Sequence, residues 1–316
     1  MAPTAGKPDV LLLDRLSEDT EARLDAAYAT HRMYQADGPE LARIGPRMRG
    51  VVTSGGKGAG NAILDALPAL EIVAIRGVGT DGVDLALARA RGFRVTTTPG
   101  LLTDDVADLA IGLMIAVCRR VCVGDRFVRD GRWRPGVTLP LATKVAGKRL
   151  GIVGLGRVGR AIARRAEGFA MDIAYTDLAR VPDAAYRFEP DLADLARRSD
   201  ILVLSASGGP QSRGIVGVAV LDALGPQGIL INVARGSLVD EAALVAALVE
   251  RRLGGAGLDV FIDEPDVPPA LFTLDNVVLQ PHRASATTET RMAMEDLLLA
   301  NLAAHFAGEP LPSAVV

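Results

Sequence analysis

The sequence predicts an α/β fold built from two doubly wound parallel-sheet domains. The chain has 316 residues, about twice the usual length of one domain. Short runs that are apolar throughout alternate with helical patterns almost from end to end, as buried strands of a parallel sheet covered on both faces require. These runs fall into two series, with a long apolar helical stretch between them that has no strand of its own.

In the first series, strands are expected at 10–13, 50–53, 71–75 and 93–97, with helices at 18–28, 61–66 and 85–91. In the second, strands are expected at 150–153, 172–175, 201–204, 229–233, 257–260 and 277–279. Helices at 158–169, 192–198, 218–224 and 241–252 separate them. Residues 104–128 read as one long helix after the Pro99-Gly100 turn, and 287–306 as a second long amphipathic helix closed by Gly308 and Pro310. These two helices are expected to carry the chain into the second domain and back. The first domain would then comprise 1–98 and 288–316, and the second 99–287.

Composition removes several function classes. Hydrophobic residues make up 49% and charged residues 23%, a globular balance. A net charge of −3 with no basic run argues against a nucleic-acid binder, which needs clustered positive charge to meet phosphates. The N-terminal apolar run stops at Asp14, too short for a secretory segment. The longest apolar stretch, 109–117, is shorter than a membrane span. A cytoplasmic protein that binds neither membrane nor nucleic acid is expected. Cys118 and Cys122 stand four apart with no further ligand types nearby, so they read as core-side residues on one helix face and no metal site is expected.

Gly154-Leu-Gly156-Arg157-Val158-Gly159 follows an apolar strand and opens a helix, the context in which a GxGxxG loop binds a dinucleotide. Its glycines allow a tight turn, close main-chain approach and close helix–strand contact, while the helix N-terminus offers free N–H groups to a pyrophosphate. The second domain is therefore expected to be a Rossmann-type nucleotide-binding domain. Asp177 closes the next strand, 18 residues past Gly159. A carboxylate there accepts from ribose hydroxyls and repels a 2′-phosphate, which favours NAD(H). Arg180 nearby keeps NADP(H) as an alternative.

Three later strands end in Asn232-Val233-Ala234-Arg235, in Asp259-Val-Phe-Ile-Asp-Glu264-Pro265 and in Gln280-Pro281-His282. Ligands bind beyond the carboxyl ends of strands in such sheets, so an arginine, a carboxylate and a histidine can converge there. Transfer of a hydride to a 2-oxo acid needs these groups: a fork-shaped cation for the carboxylate, an acid for the forming alkoxide, and a carboxylate that keeps that acid charged.

From about residue 73 to 312, the segments GLGRVG, NVARGSLVDE, GLDVFIDEP and PHRASATTETR together resemble the D-isomer-specific 2-hydroxyacid dehydrogenase family, nearest its glyoxylate/hydroxypyruvate reductase branch. The resemblance implies a flavodoxin-like substrate domain with the nucleotide-binding domain inserted into it, and a homodimer, for which 131–135 around Trp133 is a candidate contact. It implies catalytic roles for Arg235 on the 2-oxo carboxylate, His282 as general acid/base, and Glu264 as the partner that keeps His282 charged. It implies substrate contacts from Val78 and Gly79, with Ser54 and Gly55 facing the same cleft. On the cofactor side it implies Arg157 and Val158 at the pyrophosphate, Ala206, Ser207 and Ser212 along the adenosine, and Val233 and Asp259 beside the nicotinamide, with Ala234, Arg235, His282 and Ser285 also among the cofactor-binding residues. A nucleotide-sensing protein of the same fold, or a phosphite- or formate-type dehydrogenase, are the rival readings.

The chain departs from the family pattern after His282. An aliphatic residue, glycine and a small residue are usual there, but this chain has Arg283-Ala284-Ser285. Alanine resists positive φ, so Ala284 is expected in an ordinary conformation. Arg283 would shape the pocket, meet a second polar group of the substrate, or face solvent or a partner subunit.

Overall fold

Uninterrupted apolar runs in the first third of the chain form one five-stranded sheet. Its strands are β1 (Asp9–Leu12), β2 (Ala29–Arg32), β3 (Gly50–Ser54), β4 (Ile72–Arg76) and β5 (Arg94–Thr96), all parallel, in the order β2-β1-β3-β4-β5. This is the doubly wound flavodoxin order. The computed structural model describes residues 6–35 and 38–316. It divides into two units, Met1–Leu102 with Thr287–Val316, and Thr103–Ala286.

The apolar runs of the first unit are continuous because successive side chains serve two different cores. Leu11, Val51, Val73, Ile75 and Val95 pack on one face. Val10, Leu12, Val52, Ile72 and Ala74 pack on the other. Helices α1 (Glu18–Ala27), α2 (Gly38–Ile44), α3 (Asn61–Asp65) and α4 (Leu85–Arg91) belong to this unit. Ser17 caps α1 by accepting the Thr20 N–H, and Asp84 caps α4 by accepting from Ala86 and Leu87.

In the second unit a seven-stranded parallel sheet contains β6 (Arg149–Val153), β7 (Asp172–Thr176), β8 (Arg187–Phe188), β9 (Ile201–Leu204), β10 (Ile229–Asn232), β11 (Gly255–Leu258) and β12 (Val277–Leu279). The order β12-β11-β10-β9-β6-β7-β8 reverses between β6 and β9, which is the Rossmann switch point. Its helices are α5 (Thr103–Cys118), α6 (Val121–Arg129), α7 (Arg157–Glu167), α8 (Leu192–Arg197), α9 (Val218–Leu224) and α10 (Glu241–Val249). Helix α5 lies close on β11 because Gly255 and Gly257 have no side chains. A Cβ at Gly257 would come within 3.0 Å of the Leu113 Cβ, and one at Gly255 within 3.0 Å of Val117. The last helix, α11 (Thr288–Ala307), returns to the first unit, where Leu298 and Leu302 join the core under β1, β3 and β4.

The structure corrects the sequence reading in four places. Residues 104–128 are two helices, because Arg120 adopts a left-handed conformation (φ 53°) and the Thr143 N–H caps the Cys118 carbonyl. An arginine in that conformation leaves no mark on the apolar periodicity. In consequence Cys118 and Cys122 lie on separate helices; Cys118 is buried and Cys122 half-buried. Strands β2 and β8 were not expected. Both sit at sheet edges, where polar residues such as Thr30, His31 and Arg187 are tolerated. The strand expected at 257–260 lies two residues earlier, since its glycines pack against α5. Among the described residues, no helix is long and apolar enough to cross a membrane.

Candidate active site

The glycine loop joins β6 to α7, and each glycine in it has a separate physical reason. Gly154 takes φ +90°, and a Cβ there would lie 2.6 Å from the Ala206 Cα. A Cβ on Gly159 would lie 2.1 Å from the Gly154 carbonyl oxygen, so helix and strand can approach only without it. Gly156 is the N-cap of α7, offers no side-chain cap and has nothing within 4 Å of where a Cβ would stand. Exposed Arg157 and half-buried Val158 follow it. The first N–H groups of α7 thus face open space at the positive end of the helix dipole, an arrangement that suits a pyrophosphate.

Asp177 stands just past β7. Its Oδ2 accepts the Leu155 N–H at 2.8 Å, which ties it to the glycine loop, and its Oδ1 accepts the Leu178 N–H at 2.8 Å. Beyond β9, Ala206 touches the loop at Gly154, and the segment from Ser207 closes on itself through the Ser212 hydroxyl, which donates to the Ser207 carbonyl at 2.9 Å. Cofactor residues expected from the two sides of the switch point are therefore brought together here.

The ends of β10, β11 and β12 carry the side chains expected to be reactive. Asn232, almost fully buried, shapes the turn after β10. Its Nδ2 donates to the Arg235 carbonyl at 2.9 Å and its Oδ1 accepts the Ala234 N–H at 3.0 Å. Val233 and Ala234 are buried, whereas Arg235 is half-exposed and donates from Nη1 to the Ala234 carbonyl at 2.7 Å. Gly236 presses against the next loop, where a Cβ would fall 2.0 Å from the Phe261 carbonyl carbon. That contact sets Arg235 beside the loop that carries Glu264.

Glu264 accepts the Phe261 N–H at 3.0 Å with Oε1, and its Oε2 receives His282 Nδ1 at 2.5 Å. The opposite ring nitrogen, Nε2, is thereby left for other partners. Burial pushes the Glu264 carboxyl up. The hydrogen bonds from His282 and Phe261 and the charges of His282 and Arg235 outweigh that, holding it below the usual carboxylate range. It is a carboxylate at neutral pH, as a histidine-orienting group must be.

His282 itself has φ +46°, a left-handed conformation that is uncommon for a residue with a Cβ. Asp259 makes it possible. The Asp259 carbonyl accepts the His282 N–H at 2.8 Å, and its buried carboxylate accepts the N–H groups of Arg283 and Ala284 at 2.8 and 3.0 Å. Burial keeps the Asp259 carboxyl above its ordinary range, opposed by those two N–H donors and by His282. Ala284 is buried without positive φ, Ser285 is half-buried, and the Arg283 side chain is exposed. The sequence marked the histidine but not the strain at it. The pairing of an aspartate with the three residues after a Gln-Pro turn was the available signal.

In the first unit, Ser54 ends β3 and Gly55 follows it, while Val78 and Gly79 follow β4. A Cβ on Gly55 would stand 3.4 Å from the Gly79 carbonyl oxygen, so the two loops adjoin. The Gly55 N–H donates to the Arg76 carbonyl at 3.3 Å, and Thr98 exchanges hydrogen bonds with Gly77. Val78 is exposed, and Gly58 and Gly82 pack backbone to backbone behind the loops. The other two histidines are held elsewhere, His31 by Asp9 and His305 by Glu71.

Comparison with known proteins identifies this arrangement. Residues 111–284 match the family profile described as D-isomer specific 2-hydroxyacid dehydrogenase, NAD binding domain. The 2-ketogluconate reductase of Gluconobacter oxydans is 46% identical over 312 residues, spanning 99% of this chain and all of that one. The chain belongs to the D-isomer specific 2-hydroxyacid dehydrogenase family. A glyoxylate/hydroxypyruvate reductase of Arabidopsis thaliana is 52% identical over 269 residues, 85% of this dehydrogenase and 86% of the relative. Among solved structures, the NADPH-dependent glyoxylate/hydroxypyruvate reductase of Sinorhizobium meliloti, in complex with NADP and malonate, superposes with a TM-score of 0.93. It is 41% identical over 98% of this chain and 97% of that one. This dehydrogenase uses a nicotinamide cofactor, and its glycine loop and uncapped α7 fit one.

Proposed function

We propose that this dehydrogenase reduces a small 2-oxo acid, of the glyoxylate or hydroxypyruvate kind, to the D-2-hydroxy acid. The observation that carries the reading is the 2.5 Å pair between His282 Nδ1 and Glu264 Oε2, formed at the same sheet edge that presents Arg235.

Bound nicotinamide in its reduced form supplies the hydride that adds to C2. Arg235 grips the 2-oxo carboxylate end of the substrate with its planar fork and polarises the carbonyl. His282 gives the Nε2 proton to the forming alkoxide, while Glu264 fixes the ring and balances its charge. The N–H groups of Val78 and Gly79 are the proposed cradle of the carboxylate. Asp259, Val233, Ala234 and Ser285 are assigned to the nicotinamide end of the cofactor, and Asp177 to the adenosine ribose.

We infer a preference for NADH, because the Asp177 carboxylate stands at the end of β7, where a 2′-phosphate would bring further negative charge. The NADPH dependence of the Sinorhizobium relative and the exposed Arg157 and Arg180 weigh on the other side. A panel of glyoxylate, hydroxypyruvate and 2-ketogluconate, assayed with both reduced cofactors, tests the whole reading. Turnover of glyoxylate or hydroxypyruvate with a higher kcat/KM for NADH is expected. No turnover of any 2-oxo acid defeats the function, and a higher kcat/KM for NADPH defeats the cofactor assignment alone.

A second copy of this chain is proposed to cover the segment after α6, where Trp133, Val137 and Leu141 stand exposed at 73%, 45% and 97%. A 33.0 kDa particle in light scattering, the mass of one chain, would refute the homodimer.

A further inference from the structure

Arg291 lies in the first turns of α11, near the positive end of a twenty-residue helix, where a cation is disfavoured. It is half-buried, and among the described residues its guanidinium makes no hydrogen bond or ion pair. Burial and the neighbouring Arg76 both lower its affinity for a proton.

The carboxylates close enough to relieve it are already engaged. Glu295, one turn further along α11 and 3% exposed, gives Oε1 to Arg76 Nη1 at 2.9 Å. Its Oε2 accepts the hydroxyls of Ser17 and Thr20. Asp14 takes the other Arg76 nitrogen at 3.4 Å. Even so, Arg76 Nε is buried without a hydrogen-bond partner among the described residues. Two cations thus sit together: Arg76 is hydrogen-bonded to both carboxylates, whereas Arg291 feels Glu295 and Asp14 only through space.

Register places Arg291. Leu302 and Leu298 share a core with Ile72 and Ala74, and Glu295 meets Arg76, so α11 runs antiparallel to β4. One helical turn towards the N-terminus is about 5.4 Å. Along a strand the same distance is one to two residues at about 3.3 Å each. By this register Arg291 falls level with Gly77 and Val78, at the start of the loop whose N–H groups are assigned to the substrate carboxylate.

We propose that Arg291 is a substrate-binding residue, the counter-ion on the first unit for the carboxylate of the 2-oxo acid. The loop N–H groups orient that carboxylate and Arg291 supplies the full positive charge they lack. Arg235 is then free to act chiefly on the 2-oxo oxygen. Arg76, fixed by Glu295 and Asp14, is a positioning residue that holds β4 and α11 in register. The inference rests on the reading of Val78 and Gly79 as the carboxylate cradle.

The test compares hydroxypyruvate with its uncharged amide in the wild-type enzyme and in Arg291→Gln. Loss of a charged hydrogen-bond donor should lower kcat/KM for the acid roughly 10–100-fold, mostly through KM. The amide should change less than about threefold by the same reasoning, since it has no charge to lose. The KM for the nicotinamide cofactor should stay as it is. An equal fall for acid and amide would mean a structural role and overturn the proposal, as would an unchanged acid. Arg291→Lys, which keeps the charge without the fork, should fall between; if Arg291→Gln does not fold, a wild-type-like Arg291→Lys or one equally impaired on acid and amide overturns it. Oxalate supplies a readout free of turnover: it should raise the melting temperature of the wild type, raise that of Arg291→Lys more weakly, and leave that of Arg291→Gln unchanged. If no 2-oxo acid is reduced yet oxalate still discriminates these proteins, the function falls while the anion site stands. If oxalate shifts all of them alike, the anion site falls.

Discussion

At the carboxyl edge of the second sheet, the proposed chemistry resides in side chains: Arg235, Glu264 and His282 are each aimed by a hydrogen-bonded turn, and Asp259 and Asn232 hold those turns from beneath. At the carboxyl edge of the first sheet, the residues assigned to substrate are mostly glycine and main chain, and what stiffens them is backbone contact between Gly55 and Gly79 and between Gly58 and Gly82. A proton donor has to be one particular atom with one particular partner, so its support is built from specific polar contacts. A carboxylate cradle orients its ligand through N–H groups at the right spacing, so close packing of bare backbone can set that part, with the charge left to a side chain such as Arg291.

The largest effect that would break this contrast is expected at His282. His282→Ala should lower kcat by about 10²–10⁴-fold, the usual worth of a general acid, with unchanged circular dichroism. A variant that still turns over at near wild-type rate would remove the side-chain half of the comparison. Gly58→Ala examines the main-chain half. Gly58 has φ +63° and a Cβ would lie 2.4 Å from the Gly82 Cα. The substitution should cost about 1–3 kcal/mol in denaturant unfolding. A neutral result would show that the two glycine segments are not packed as tightly as this.

The smallest effect concerns Glu295. Burial raises its carboxyl, but hydrogen bonds from Ser17, Thr20 and Arg76 outweigh burial and leave it below the ordinary range. A depressed folded-state value adds stability that is fully present above the unfolded value, about 4.3. That stability is lost as the pH falls through the folded value. Unfolding free energy should therefore decline more steeply below about pH 4.3 in the wild type than in Glu295→Gln. Parallel curves would remove Glu295 from the acid limb.

Much of the arrangement was legible in the residues. The strands that serve two cores, such as Val10–Leu12 and Ile201–Leu204, are unbroken apolar runs that no exposed element could tolerate. The meeting of Glu264 with His282 followed from where their strands end. What stayed hidden depends on contacts distant in sequence or on single backbone angles. The left-handed Arg120 divides a helix without disturbing its apolar pattern. The edge strand β2 is polar because it pairs on one side only. Arg76 and Glu295 lie 219 positions apart, a separation at which no local spacing can announce a pair.

Asp259 grips Arg283 and Ala284 by their amide N–H groups and not by their side chains. The segment after the histidine is thus indifferent to what position 283 carries, provided it is not proline. Nature can vary that side chain, and a laboratory library can saturate it, while the imidazole one residue away keeps its aim. Change at position 283 and the aim of the proposed proton donor are in this way uncoupled within two adjacent residues.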